Sequence, residues 1–240
     1  MGTSQNDRID ARVLARAVTL AKGEEIAVPA YDETVETLKE LMGYYKFTVK
    51  QTAQIRNHLE SLKAREGNRF SIKELENSLK ASKAKEKKII EQIQALIDAD
   101  ERHRQAYENI LSIMGVGQIG AIALLHLFLK YPEANQRQIT SLAGLNPIYR
   151  QSGTSVQSGY RISKSGSKLY RGSLFMGVMS AIRYDKNFQA FYDRLKTNGK
   201  HTTQAQIAVM RKMIIVAHSL YKNNRKYDPE FALNKDKPVD

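Results

Sequence analysis

The chain has 240 residues, 42% hydrophobic and 26% charged, which is enough apolar material for a core and too much for global disorder. It has no cysteine, which excludes disulfide scaffolds, Cys-ligated zinc, iron–sulfur clusters and thiol nucleophiles together and fits a reducing, cytoplasmic compartment. A net charge of +13 points to polyanionic partners.

The N-terminus, MGTSQNDRID, has no apolar run and reads as no signal peptide. Residues 6–21 (NDRIDARVLARAVTLA) are expected to be helical, with Ile9, Val13 and Ala17 on one stripe and Asp7 and Asp10 on another face. Two carboxylates three residues apart face the same way. They suit Mg²⁺ only with further oxygen ligands, and acids on a first helical turn are the plainer explanation. Gly23 ends the helix, and Pro29 and Asp32 mark a loop and the next helix start.

From Leu38 the apolar positions step by three and four through Leu41, Tyr45, Thr48, Thr52, Ile55, Leu59 and Leu62, a seam of heptad type. Gly67 and Asn68 interrupt it, and Ser71 with Glu74 predicts a capping box for a second helix. That helix repeats the spacing at Ile72, Leu75 and Leu79, loses it at Ser82 and Glu86, and recovers it at Ile89, Ile93 and Leu96. The pattern predicts an antiparallel coiled-coil hairpin with arms about 45 Å long. Its own core is small, so it is expected to pair with another chain or pack on a neighbour.

Residues 109–129 (NILSIMGVGQIGAIALLHLFL) carry no Lys, Arg, Asp or Glu. Asn109, Ser112, Gln118 and His126 interrupt the stretch, and Gly115 and Gly117 mark a turn, so two buried helices are expected rather than a membrane span. Helix, Gly-Val-Gly turn and helix together have the shape of a helix-hairpin-helix. The free amides that open its second helix suit a phosphate, although a plain hairpin uses the same glycines. A short helix is expected at 135–143, a loop or small hairpin at 144–166, and helices at 167–184, 187–197 and 203–222.

The charge is segregated. Residues 137–226 hold 16 Lys and Arg against only Asp185 and Asp193, whereas the rest of the chain is nearly neutral. Between Glu133 and Asp185 there is no carboxylate. Arg150, Arg161, Lys164, Lys168 and Arg171 interleave there with Tyr149, Tyr160 and Tyr170, and Arg211 and Lys212 follow. Cations that meet phosphates and rings that stack on bases make this block, with Gly115 and Gly117, the candidate nucleic-acid surface. Ser152, Ser155 and Ser158 lie among the same arginines and are candidate nucleophiles toward a phosphodiester. The five histidines show no metal-ligand spacing, and there is no Walker loop or dinucleotide fingerprint.

Four blocks occur in order along the chain: NDRIDARVLARA, SIMGVGQIGAIALL, AGLNPIYRQSGTSVQSGYRISKSGSKLYRGSLFMG and AQIAVMRKMIIVAHSLYKNNRKYDP. They resemble the DEDD-type insertion-sequence transposases, which include pilin-gene-inverting recombinases and bridge-RNA-guided recombinases. The resemblance implies a ribonuclease-H-like domain whose four acids hold Mg²⁺, a coiled coil for assembly, and a helical C-terminal domain with a serine nucleophile. Asp7 and Asp10 match the last two acids and Ser152 best matches the serine, with Ser155 and Ser158 open. The family's other two acids lie upstream of this motif, where this sequence has six residues, so it reads as N-terminally truncated.

The expected fold is mainly α: a remnant ribonuclease-H-like helix at 1–30, the coiled-coil hairpin at 31–102, a helical domain with the helix-hairpin-helix and serine loop at 103–227, and a tail at 228–240. The expected function is DNA transposition or site-specific recombination, with DNA, structured guide RNA and a second copy of the chain as partners and no membrane. A non-catalytic, oligomerising nucleic-acid-binding fragment is the alternative.

Overall fold

A computed structural model describes residues 11, 12, 15, 32–152 and 156–231. The chain divides into two units, residues 1–33 and 34–240. In the first, Ala11, Arg12 and Ala15 are helical and exposed, and Asp7 and Asp10 lie outside the described residues.

The elements that follow are α1 (Glu33–Ala64), α2 (Arg69–Asp98), α3 (Glu101–Leu111), α4 (Gln118–Lys130), α5 (Gln136–Leu142), β1 (Pro147–Ser152), β2 (Val156–Ile162), α6 (Lys168–Tyr184), α7 (Lys186–Thr197), α8 (Thr202–Asn223) and one 3-10 turn, Pro229–Phe231. The chain is mainly helical, as its spacing predicts.

Helices α1 and α2 run antiparallel. The Thr52 hydroxyl meets the Glu86 carboxylate, and Lys63 Nζ lies 2.6 Å from Glu76 Oε1, so positions rising along α1 pair with positions falling along α2. Every seam position of α1 from Leu38 to Leu62 is buried or half-buried. The polar lapse of α2 has a counterpart: the Thr52 hydroxyl sits between the Thr48 carbonyl, 3.0 Å away, and Glu86. Thr52 of α1 and Glu86 of α2 thus face each other and pair across the seam. The capping box expected at Ser71 and Glu74 does not form. Asn68 caps α2 instead, its side-chain oxygen accepting from the Phe70 and Ser71 amides at 2.9 and 3.4 Å. An Asn at the end of the turn offers its acceptor before Ser71 is reached, and the helix starts at Arg69.

The core is built around α4, which is buried without a break from Gly120 to Phe128. The missing charge of 109–129 is explained by this central position, and among the described residues no helix is long and apolar enough to cross a membrane. Ile110 of α3, Leu174 and Val178 of α6, and Val209, Met213 and Ile214 of α8 join α4 in one apolar cluster. Leu38 and Met42 of α1 and Ile93 and Ile97 of α2 belong to the same cluster, so the open end of the α1–α2 hairpin is part of this core.

The turn between α3 and α4 lies against α6 at backbone distance. A Cβ on Gly115 (φ +87°) would stand 2.3 Å from the Gly177 carbonyl oxygen, and one on Gly177 would stand 1.9 Å from the Gly115 carbonyl oxygen. Only a residue without a side chain fits at either position.

Candidate nucleic-acid interface

The acid-free stretch folds as the β1–β2 hairpin, followed by a loop, residues 163–167, that leads into α6. The strands pair antiparallel from Pro147↔Ile162 at the base to Ser152↔Val156 near the tip, with Arg150 opposite Ser158 and an irregularity between Ile148 and Arg150. Ser152 therefore ends β1, about 16 Å along the strand from Pro147. Ser155 lies outside the described residues.

The loop is held by close backbone approach. A Cβ on Gly144 (φ +69°) would be 2.0 Å from the Ser165 carbonyl oxygen, and one on Gly166 (φ +79°) would be 2.1 Å from that of Leu142. The Lys164 amide donates to the Gly144 carbonyl at 3.1 Å and the Ser163 amide to that of Asn146 at 2.9 Å. The Arg171 guanidinium closes the bracket, donating to the carbonyls of Ala143 (2.9 Å), Ser165 (3.1 Å) and Lys164 (3.2 Å). Lys164 is left exposed in the left-handed backbone region, at φ +55°.

This arrangement aims Lys164 at α8. Lys164, Lys200 and Arg211 line one groove of about 750 Å³, with Gln204 beside them and an apolar wall that includes Leu145, Pro147, Ile162 and Leu195. Among the described residues no carboxylate lines it. Three cations on an apolar floor suit a phosphate backbone whose sugars or bases lie on the floor. Lys200 enters by the turn at Gly199 (φ +74°), where its amide bonds the Leu195 carbonyl at 3.0 Å. It is one cation among many in the basic block, and nothing local marks it out.

The other expected positions separate from this groove. Arg171 is occupied with the loop carbonyls. Lys212 is half-buried with its Nζ 4.7 Å from the centre of the Phe191 ring, and burial, then the nearby Arg194 charge, holds its amine below the usual lysine range. Tyr170 is buried, its hydroxyl 3.0 Å from His126 Nδ1, so it is a core residue and not an open stacking platform. Gly115 is packed on Gly177, whereas Gly117 is exposed and caps α4 with no side-chain bond, which leaves the first amides of α4 without a capping side chain. Lys168 is exposed at the first position of α6. Arg150 and Arg161 lie in the paired strands.

Mg²⁺ is expected at Asp7 and Asp10, which lie outside the described residues. Among the described residues no three or more His, Asp or Glu side chains gather as a metal site.

Residues 107–193 match the family model described as Transposase IS116/IS110/IS902 family. The chain is 32% identical over 143 residues to the pilin gene-inverting protein of Moraxella bovis, a match covering 57% of this chain and 43% of that one. Its identity to the pilin gene-inverting protein of Moraxella lacunata is 35% over 116 residues, 46% of this chain and 36% of the relative. With the insertion element IS900 uncharacterized 42 kDa protein of Mycobacterium paratuberculosis it is 30% over 132 residues, 53% and 32% of the two chains. The chain thus spans less than half the length of the curated relatives it matches.

Proposed function

Because the chain carries the transposase segment of the IS116/IS110/IS902 family, we propose that it works in DNA transposition or site-specific recombination, binding DNA along the groove of Lys164, Lys200 and Arg211 and presenting Ser152 to a phosphodiester. The observation that carries this reading is the convergence of three cations, from a loop and a turn-and-helix far apart in sequence, beside the base of the hairpin whose first strand ends at Ser152. A groove lined by three cations attracts a strand, and its place at Pro147 and Ile162 lets that strand run on toward the hairpin tip.

The serine step is a transesterification. The Ser152 oxygen forms a bond to phosphorus, the bond from phosphorus to one deoxyribose oxygen breaks, and the serine proton ends on the leaving oxygen. One phosphoester replaces another, so the step is reversible and suits strand exchange. In the family's terms Mg²⁺ and its acids would assist it; Asp7 and Asp10 are the residues of this chain proposed for that role. The α1–α2 hairpin is proposed as a coiled coil that pairs with a second chain, and Tyr44 and Phe47, 45% and 56% exposed on α1, support an outward apolar face. Structured RNA competes for the same groove if a guide RNA is used.

The test is a covalent trap. The chain is incubated with duplex DNA carrying element ends, with Mg²⁺, and protein–DNA adducts are resolved under denaturing conditions. An adduct lost in Ser152→Ala with binding retained supports the reading. An adduct that persists moves the nucleophile to Ser155 or Ser158. Salt-dependent binding with no adduct, even when a relative's upstream segment carrying the first two acids is supplied, leaves a nucleic-acid-binding chain and removes strand transfer.

A further inference from the structure

We propose that the apolar floor of the groove takes the bases of an unpaired DNA strand, so that the chain prefers DNA opened into single strands over paired duplex. The inference rests on the groove reading above and names the form of DNA that the groove takes. Charge and apolar surface are separated in it. Lys164 and Lys200 are exposed and Arg211 is half-buried, and these carry the charge. Pro147, exposed, and Ile162, Leu195 and Ile207, half-buried, line the same groove with aliphatic surface.

The cations bracket the aliphatic surface. Arg211 stands about 14 Å along the axis of α8 from Thr202, and Lys200 lies just before that helix. Ile207 falls between them along α8, and Lys164 comes from the 163–167 loop. A phosphate backbone that meets Lys200 at one end and Arg211 at the other therefore passes over aliphatic side chains on the way.

Duplex DNA and an unpaired strand use this layout differently. Both bring phosphates to the cations. In a duplex the base faces are stacked on one another, and only base edges and sugars face outward between the phosphates. An unpaired strand has free base faces, which pack on apolar side chains as well as on rings. Removing the aliphatic floor from water therefore favours the strand and adds little for the duplex.

An acidic amphipathic peptide could also meet both the cations and the floor. The charge beyond the groove favours DNA. Residues 137–226 hold 16 Lys and Arg against two acids, so the positive field runs on past the groove, and a repeating polyanion matches such a field where a short peptide does not.

The test compares, by fluorescence anisotropy with the full chain, a labelled strand of about 12 nucleotides and the same strand annealed to its complement. At about 200 mM salt, where the electrostatic share is weakened, the strand should bind about tenfold tighter than the duplex. Leu195→Gln with Ile207→Gln should weaken the strand about tenfold and the duplex less than about twofold. Should that pair not fold by circular dichroism, Leu195→Gln alone should weaken the strand about threefold, with the duplex again little changed. Lys164→Gln, Lys200→Gln and Arg211→Gln together should weaken both forms. If that triple variant weakens both forms but the wild-type chain does not prefer the strand, or the floor variants leave the preference unchanged, the unpaired-strand inference falls and the groove stands. If the triple variant weakens neither form, the groove reading falls and takes the inference with it. Absence of binding to either form overturns both and leaves the groove to an acidic protein segment.

Discussion

The groove of Lys164, Lys200 and Arg211 allows a quantitative prediction. The perturbation is the triple replacement Lys164→Gln, Lys200→Gln and Arg211→Gln, which removes the three cations lining the groove and leaves its apolar wall in place. For duplex DNA each neutralised phosphate contributes about 0.9 to the slope of log affinity against log salt, so three contacts lower the slope by about 2.7. Between 50 and 200 mM salt the wild-type chain is then expected to lose roughly 40-fold more affinity than the triple variant. The assay is fluorescence anisotropy with a labelled duplex across that salt range. The matched control is Lys80→Gln, Lys83→Gln and Lys85→Gln, three exposed lysines of α2, which removes the same net charge away from the groove. If binding depends only on net charge, the two variants behave alike. A triple-variant slope reduced by less than about one contact's worth, or a control reduced equally, refutes the groove as the contact surface.

Gly177→Ala should destabilise the chain by about 2 kcal/mol, read as a lower midpoint in urea, because its Cβ would stand 1.9 Å from the Gly115 carbonyl; an unchanged midpoint removes that contact. Arg171→Ala should cost roughly 2 kcal/mol by releasing its loop carbonyls and should loosen protection of the Lys164 amide in hydrogen exchange; a stable variant that merely binds DNA less tightly shows Arg171 to be a DNA contact instead. Leu41→Asp with Leu59→Asp puts charge in the α1 seam and should lower both helicity and sedimentation mass; if neither changes, the seam holds nothing together. Burial, then the Lys130 charge, pushes the His126 pKa down from 6.5 to about 4. The unfolded chain then binds more protons between those values, so stability falls as pH drops from 6.5 toward 4, by up to about 3 kcal/mol. His126→Gln should flatten that part of the stability profile, and an unchanged slope places the lost stability on other groups.

Much of the architecture follows from local repetition. The step of three and four from Leu38 to Leu62 is a property of the helical backbone itself, and residues so spaced share one face whatever they pack against. The charge-free run at 109–129 similarly requires burial, and α4 supplies it. The concentration of basic residues after Arg137 is likewise a one-dimensional fact. Which of those cations act together is not. Lys164, Lys200 and Arg211 meet because Gly144 and Gly166 let two loop backbones touch, and that contact has no periodic signature. Arg171 and Lys164 look alike along the chain, yet the former is turned onto carbonyls and the latter left in water. The lapse at Ser82 and Glu86 reads as a defect in one helix until Thr52 of the other lies against Glu86. The Ser71 cap is lost to Asn68 because the turn delivers that acceptor first. Spacing within an element is set by covalent geometry, whereas convergence between elements depends on how closely backbones can approach, and in this chain a few glycines decide that.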